Sequence, residues 1–395
     1  MIIRYFTILL LLTQFLFAQK LPTKAPAKAG FNVSHLELAD EVILQSIENG
    51  TIPGAVLLVM RNNFVVYRKA YGMKQLLPSK EKMEINTVFD MASVTKPVAT
   101  ATSAMILLEQ GMLRLLDPVS HFIPEFTPWV DDSTGHKQIV RLIHLFTHTS
   151  GLPAYAPVKE LEDRYGSPAP DSLISYIANV HKDHAPGTYF RYSCLNFITL
   201  QRIIEQISGQ SLKDFSQDHI FTPLNMTETE FQPTGTVQTD CAPTEVLDDK
   251  PLKGIVHDPL ARVMMGCISG NAGLFSTADD LSLFAAMMLN NGILDGTRIL
   301  SPASVKKMTS VPPGYEEFGR GLGWDLHSAY SSNMGDLFSE QAYGHTGYTG
   351  TSIVIDPETK TVVILLTNRV HPDDKGSVVR LRSLVSNIVA GSIIN

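Results

Sequence analysis

The sequence predicts an α+β fold: an antiparallel sheet flanked by N- and C-terminal helices, with a mostly helical subdomain inserted between the sheet's two halves. Two observations carry this. Hairpin patterns stand near both ends of the chain, each beside a terminal helical pattern. Between them, residues 111–312 hold apolar helical segments among loops rich in Pro and Gly, with no internal repeat.

Taken in order, residues 1–18 stand apart. Arg4 gives a weakly basic start, 8–12 and 15–17 are apolar, and Ala18 is a small residue ahead of Gln19-Lys20. This is the pattern of a cleaved secretory signal. The stretch is too short to span a bilayer comfortably and no second long apolar run follows. The expectation is an exported protein, periplasmic or secreted, with no stable membrane insertion after cleavage. Residues 19–30 read as a flexible leader. Ser34 and Glu37 have capping-box spacing, and a helical pattern runs from there to Gly50. Residues 55–60 and 64–70 are β-rich runs joined around Asn62-Asn63, a hairpin. Residues 95–110 are apolar on nearly every face and end at Gly111, which predicts a buried helix. Helices are also predicted over 197–207 and 278–289, a second hairpin over 352–355 and 361–367, and a final helix over 377–389. The sheet subdomain is thus expected from 31–110 and 313–395, and the helical one from 111–312.

Composition narrows the function. Over 395 residues, 44% are hydrophobic and 18% charged, as in soluble globular proteins. A net charge of -7 and a pI near 5.9 give no electrostatic footprint for nucleic acid. Cys194, Cys241 and Cys267 are an odd set rather than a disulfide framework. Phosphate-binding glycine motifs are absent, so no nucleotide cofactor is expected. His144/His148 and His181/His184 are spaced to ligate a metal on a helix. Neither pair has a third ligand or a His-Glu-x-x-His pattern, so no metal and no cofactor is expected. The chain carries no signal for oligomeric state.

Ser-x-x-Lys occurs three times, at Ser79/Lys82, Ser93/Lys96 and Ser304/Lys307. Only Ser93 stands where a strand-like run meets the buried helix. Residues three apart share a helix face, so Lys96 lies one turn above Ser93. Burial should depress the lysine pKa and let it act as a base. The helix N-terminus favours developing negative charge. A capping serine followed by an outward-reaching lysine gives the same spacing. Tyr192 follows the turn at Pro186-Gly187, and a tyrosine close to a lysine can serve as a general base; a core aromatic fits there too. Gly344-His345-Thr346-Gly347-Tyr348-Thr349-Gly350 leads into a strand, and its glycines let backbone pass close to a ligand.

Together these segments resemble the serine β-lactamase and penicillin-binding protein superfamily, class C type. Phe89-Asp90-Met91-Ala92-Ser93-Val94-Thr95-Lys96-Pro97 is similar to its nucleophile motif, Tyr192 to the tyrosine of its Tyr-x-Asn, and His345-Thr346-Gly347 to its Lys-Thr-Gly strand. Residues 148–153, 271–278 and 321–325 resemble further family segments. The resemblance implies a β-lactamase/transpeptidase-like fold. It also implies an acyl-enzyme on Ser93, proton movement by Lys96 and Tyr192, and an oxyanion hole from the Ser93 and Tyr348 N–H groups. Thr346 and Gly347 fall on the substrate-binding strand, and His345 beside the leaving group. Two departures stand out. Cys194 replaces the amide of Tyr-x-Asn and donates poorly. Asn196 could take over in an extended segment but would face away on a helix. His345 replaces a lysine and, with an ordinary pKa of about 6.5, supplies no fixed cation at neutral pH.

Val256-His257-Asp258 with the segment after Asn271 resembles the N-acetylmuramoyl-L-alanine amidase-like subgroup, which points to muropeptide substrates. An amidase or carboxypeptidase acting on muropeptides is therefore the leading expectation. An esterase of the same fold on small esters, and a non-catalytic penicillin-recognising or wall-binding module, stand as alternatives. His345 and Cys194 respectively keep these open.

Overall fold

A computed structural model describes residues 20–394; the expected signal segment lies outside the described residues. The framework is a six-stranded antiparallel sheet assembled from both ends of the chain. Its N-terminal part is β1 (Gly54–Arg61), β2 (Phe64–Gln75) and the short β3 (Glu81–Lys82). Four elements of the middle serve the site: β4 (Phe89–Asp90), α1 (Thr102–Glu109), α2 (Cys194–Ser208) and β5 (Glu230–Phe231). They are followed by β6 (Leu274–Ser276) and α3 (Ala278–Leu289). The C-terminal part is β7 (Tyr343–Thr346), β8 (Ser352–Asp356), β9 (Thr361–Thr367) and α4 (Val379–Gly391). The strand order is β7-β8-β9-β1-β2-β3, so the two hairpins meet along β1 and β9. A smaller sheet, β4-β6-β5, lies on the helical side.

The reason for this layering is visible along β1, where every residue is buried. Side chains alternate between faces in a strand. Ala55, Leu57 and Val59 join Ala39, Ile43, Val385 and Val389 of the terminal helices. Val56, Leu58 and Met60 join the larger core with Val98, Met105 and Phe284. A strand covered on both faces reads as a continuous apolar run. The β1–β2 turn is made by Asn62 and Asn63, both at positive φ, the conformation a two-residue hairpin favours.

Three local expectations are revised. The N-terminal helical run is capped by Asn32, whose side chain accepts from the His35 amide, rather than by Ser34. It also breaks at Glu37 before continuing over Leu38–Glu48. From residue 20, the segment read as a flexible leader lies along the sheet: Lys24 N donates to Val65 O, Val65 N donates to Pro22 O, and Leu21 is buried. Its polar composition hid these main-chain bonds. The buried helix after Ser93 opens as a wide π-helical turn, Lys96–Ala101, before α1, and ends at Gly111 at φ +73°. Such turns widen helices at functional sites. No helix among the described residues is long and apolar enough to cross a membrane.

Candidate active site

The chain leaves β4 and turns sharply at Ala92, which sits at φ +45°. A non-glycine residue there costs about 1–3 kcal/mol and needs support from its surroundings. The support is Asp90. Its carboxylate accepts from Ala92 N and from His257 N, each at 2.8 Å. Burial pushes this carboxyl up, against the two amides that favour its charge. The far side of the turn is tied to the β7–β8 segment: Thr349 Oγ1 donates to Asp90 O at 2.8 Å and Thr351 Oγ1 to Met91 O at 3.1 Å. Gly347 allows this approach, because a Cβ there would lie 2.5 Å from Met91 O and 2.1 Å from Thr351 Oγ1.

Ser93, half-buried, thereby meets Lys96. The Lys96 Nζ donates to Ser93 Oγ at 2.9 Å and to the Asn271 carbonyl at 2.9 Å, and lies 3.8 Å from Cys194 Sγ. It also sits over the Tyr192 ring, 4.9 Å from its centroid. Lys96 is fully buried. Burial pushes its ammonium toward the neutral amine, but Cys194, Tyr192 and Asp258 pull further the other way, so the balance lies above the ordinary lysine range. The expectation of a depressed Lys96 is thus corrected: burial acts as foreseen, and the neighbouring acidic groups outweigh it. Burial likewise pushes the Cys194 thiol up, against the pull of Lys96.

Tyr192 is held by stacking on His148 at 4.4 Å and lies against Tyr330 at 5.3 Å. His148 stands at φ +57°, and its Nδ1 accepts from Ser193 N at 3.1 Å, which fixes the entry to α2. His345, on β7, is buried with its Nδ1 against Thr346 O at 2.9 Å. Burial, then the charges of Arg320 and Lys96, hold it well below the ordinary histidine range, so it is neutral at pH 7. Ser93, Tyr192, His345, Thr346, Gly347 and Tyr348 border one cleft of about 400 Å³.

One expected residue, Asn196, falls elsewhere. Asn196 is fully buried in the first turn of α2; its Oδ1 accepts from Ser150 Oγ at 2.5 Å, and its Nδ2 meets His148 Nδ1 at 3.2 Å. Because α2 begins at Cys194, Asn196 faces away and supplies no substrate amide. The Tyr348 side chain is exposed at the cleft, where its ring stacks on His257 at 5.5 Å and its hydroxyl donates to Asp374 at 2.5 Å under Arg369.

Three contributors escaped the sequence reading. Asn271 serves Lys96 through a main-chain carbonyl, which no side-chain pattern reveals. Arg320 borders the cleft at 1% exposure; one guanidinium nitrogen pairs with Asp325 at 3.2 Å, while Nε and Nη2 have no protein acceptor. A charged residue just before the apolar Gly321-Leu322-Gly323-Trp324 was its signal. Arg382 donates to Gly347 O at 2.7 Å and Thr351 O at 2.9 Å, and burial pushes its pKa down to about 9. It lies on the buried stripe of α4 with Val385 and Val389, where an arginine is unexpected.

A serine and a lysine in contact at the mouth of a buried helix, beside a tyrosine and a glycine-lined strand, define a serine hydrolase of the β-lactamase and penicillin-binding class. A family model described as Beta-lactamase matches residues 39–385, and the chain belongs to that family. It is 32% identical over 376 residues to a protein of Escherichia coli strain K12 named "Putative D-alanyl-D-alanine carboxypeptidase", covering 89% of this chain and 86% of that one. It is also 32% identical over 368 residues to the N-acetylmuramyl-L-alanine amidase of Bacillus subtilis strain 168, covering 87% and 83%. Among solved structures it resembles EstCE1, a hydrolase with promiscuous acyltransferase activity, with a TM-score of 0.72 at 26% identity, covering 91% of this chain and all of that one.

Proposed function

We propose that this protein is an exported acyl-serine hydrolase that cleaves an amide in cell-wall muropeptides, as an amidase or a carboxypeptidase. The observation that carries the reading is the 2.9 Å contact between Lys96 Nζ and Ser93 Oγ on the wall of the cleft. Ser93 Oγ attacks the amide carbon, and the Ser93 and Tyr348 N–H groups receive the oxyanion. With Lys96 held as an ammonium, the Tyr192 oxygen, as a phenolate stabilised by that charge, takes the hydroxyl proton and passes it to the departing amine as the C–N bond breaks. Water then attacks the acyl-enzyme, returns a proton to Ser93 and releases the acid. Both relatives with wall-related names support this substrate class. So does the cleft itself: Arg320, Arg369 and Arg382 line it, positive charge suited to the carboxylates of peptide stems. His345 stays neutral and adds no cation, which disfavours efficient β-lactam hydrolysis.

The test is incubation with defined muropeptides and mass analysis of the products, beside Ser93→Ala. Loss of an amino acid or release of the intact stem in the wild type only is the expected result. No product from folded wild-type protein rejects the reading. Likeness to EstCE1 favours a second reading, an esterase; turnover of nitrophenyl esters without any muropeptide cleavage selects it.

A further inference from the structure

His257 and Asp258 stand in the helical half, far in sequence from the reactive pair, yet the two residues reach both of its members. The His257 amide donates to one oxygen of Asp90 at 2.8 Å. The other oxygen of the same carboxylate holds Ala92 N, the residue before Ser93, in its positive-φ conformation. Asp258 works toward Lys96. Its Oδ1 accepts from Asn271 Nδ2 at 3.2 Å and from Ala261 N at 2.9 Å, and its Oδ2 from Tyr155 OH at 3.1 Å. Asn271 is pinned at its other end by Ser269 Oγ at 2.6 Å. The main-chain carbonyl of that fixed Asn271 then accepts from Lys96 Nζ at 2.9 Å.

We propose that His257-Asp258 is a two-armed positioning element for the acylation step: the His257 amide sets the nucleophile turn through Asp90, and Asp258 sets Lys96 through Asn271. The inference rests on the Ser93–Lys96 reading of the site. The Asn271 side chain also hydrogen-bonds Cys194, the residue that stands where the family has an amide. A loop that merely closed the fold would not place one dipeptide on both partners of a proton transfer. Among the described residues Asp258 makes no ion pair with a lysine or arginine within 4.0 Å, so hydrogen-bond donors answer its charge, and Lys96 at longer range.

The charged and titratable groups facing Lys96 are Tyr192, Cys194 and Asp258, which favour its ammonium, and His148 and His345, both neutral. Asp258 itself faces Asp90, Tyr155 and Cys194. Removing the Asp258 charge therefore lowers the proton affinity of Lys96. The limb of the pH–rate profile that belongs to Lys96 moves to lower pH, whichever of its protonation states acylation requires.

The experiment measures Ser93 labelling by a fluorophosphonate probe across pH, in Asp258→Asn, Asn271→Ala and the double variant, with folding checked by thermal melts. The probe needs no muropeptide, so failure of the substrate assignment leaves this test standing. Asp258→Asn is expected to slow labelling by roughly tenfold, short of the ~10²–10⁴-fold typical of losing a general base outright, and to shift the Lys96 limb downward. Asn271→Ala keeps the carbonyl but loses its anchor. It should slow labelling similarly, with the double variant no slower than either single one, because the two act as one unit. Asn271→Ala keeps the proposal testable if Asp258→Asn does not fold. Unchanged labelling, or a loss without movement of the limb and with additive singles, overturns the proposal.

Discussion

At the scale of single residues, the proposed chemistry turns on one contact, Lys96 Nζ to Ser93 Oγ at 2.9 Å. Lys96→Ala removes a buried donor that also holds Tyr192 in place. It should slow Ser93 acylation by about 10²–10⁴-fold, read as the rate of fluorophosphonate labelling; a loss under tenfold would move the proton transfer elsewhere. Cys194→Asn restores an amide where the thiol lies 3.8 Å from Lys96. Acylation by a chromogenic cephalosporin should hold or rise, and a clear fall would assign the thiol a role of its own. That Ser93, Lys96 and Tyr192 would come together was legible because their residue types and spacing carry the pattern. Asn271 was not, because it contributes a carbonyl that every residue carries. Nor was the direction in which the surroundings push Lys96, since Asp258 is brought near it only by the fold.

At the scale of elements, the β7–β8 segment must lie against the nucleophile turn for the cleft to exist, and Gly347 decides whether it can. Its pattern, a glycine in a turn before a strand, was readable; the reason, a Cβ that would meet Thr351 Oγ1 at 2.1 Å and Met91 O at 2.5 Å, needed coordinates. Both obstacles are fixed by hydrogen bonds, so neither can yield cheaply. Gly347→Ala should cost about 1–3 kcal/mol, as overpacking does, and should also retract the strand from Ser93. Denaturant midpoints and labelling rates check the two effects together; wild-type values in both would show that the turn is softer than its bonds imply. The same contrast marks other elements. Hairpins β1–β2 and β8–β9 were legible from alternation and turn residues. The ordered course of 20–30 was not, since main-chain pairing to Val65 leaves no trace in side-chain pattern.

At the scale of the whole molecule, a sheet built from both chain ends could be read from two hairpins each beside a helix, because an apolar strand face has to be covered by a second layer. Which buried polar groups stitch the layers together could not. Asp280, in the first turn of α3, is one. Its carboxylate accepts from Glu228 N and Thr229 Oγ1, both at 2.8 Å, and so joins α3 to the approach to β5. Burial, with Glu228 and Asp279 nearby, pushes this carboxyl up to about 7, against the bonds from Thr229 and Glu228. An acid whose folded pKa is raised binds more protons in the native state than in the unfolded one between its ordinary value, about 4, and about 7. Its contribution to stability is therefore full below that window and is lost as pH rises through it. Each tenfold difference in proton affinity is worth about 1.4 kcal/mol, so the loss amounts to a few kcal/mol at most. Asp280→Asn keeps an acceptor oxygen for the same two donors and has no proton to lose. Relative to wild type, it should gain stability from about pH 4 to about pH 7 and level off above that in denaturant titrations. A difference that stays constant across that range would mean that Asp280 is already ionised in the folded protein, and that water or a rearranged Glu228 reaches it.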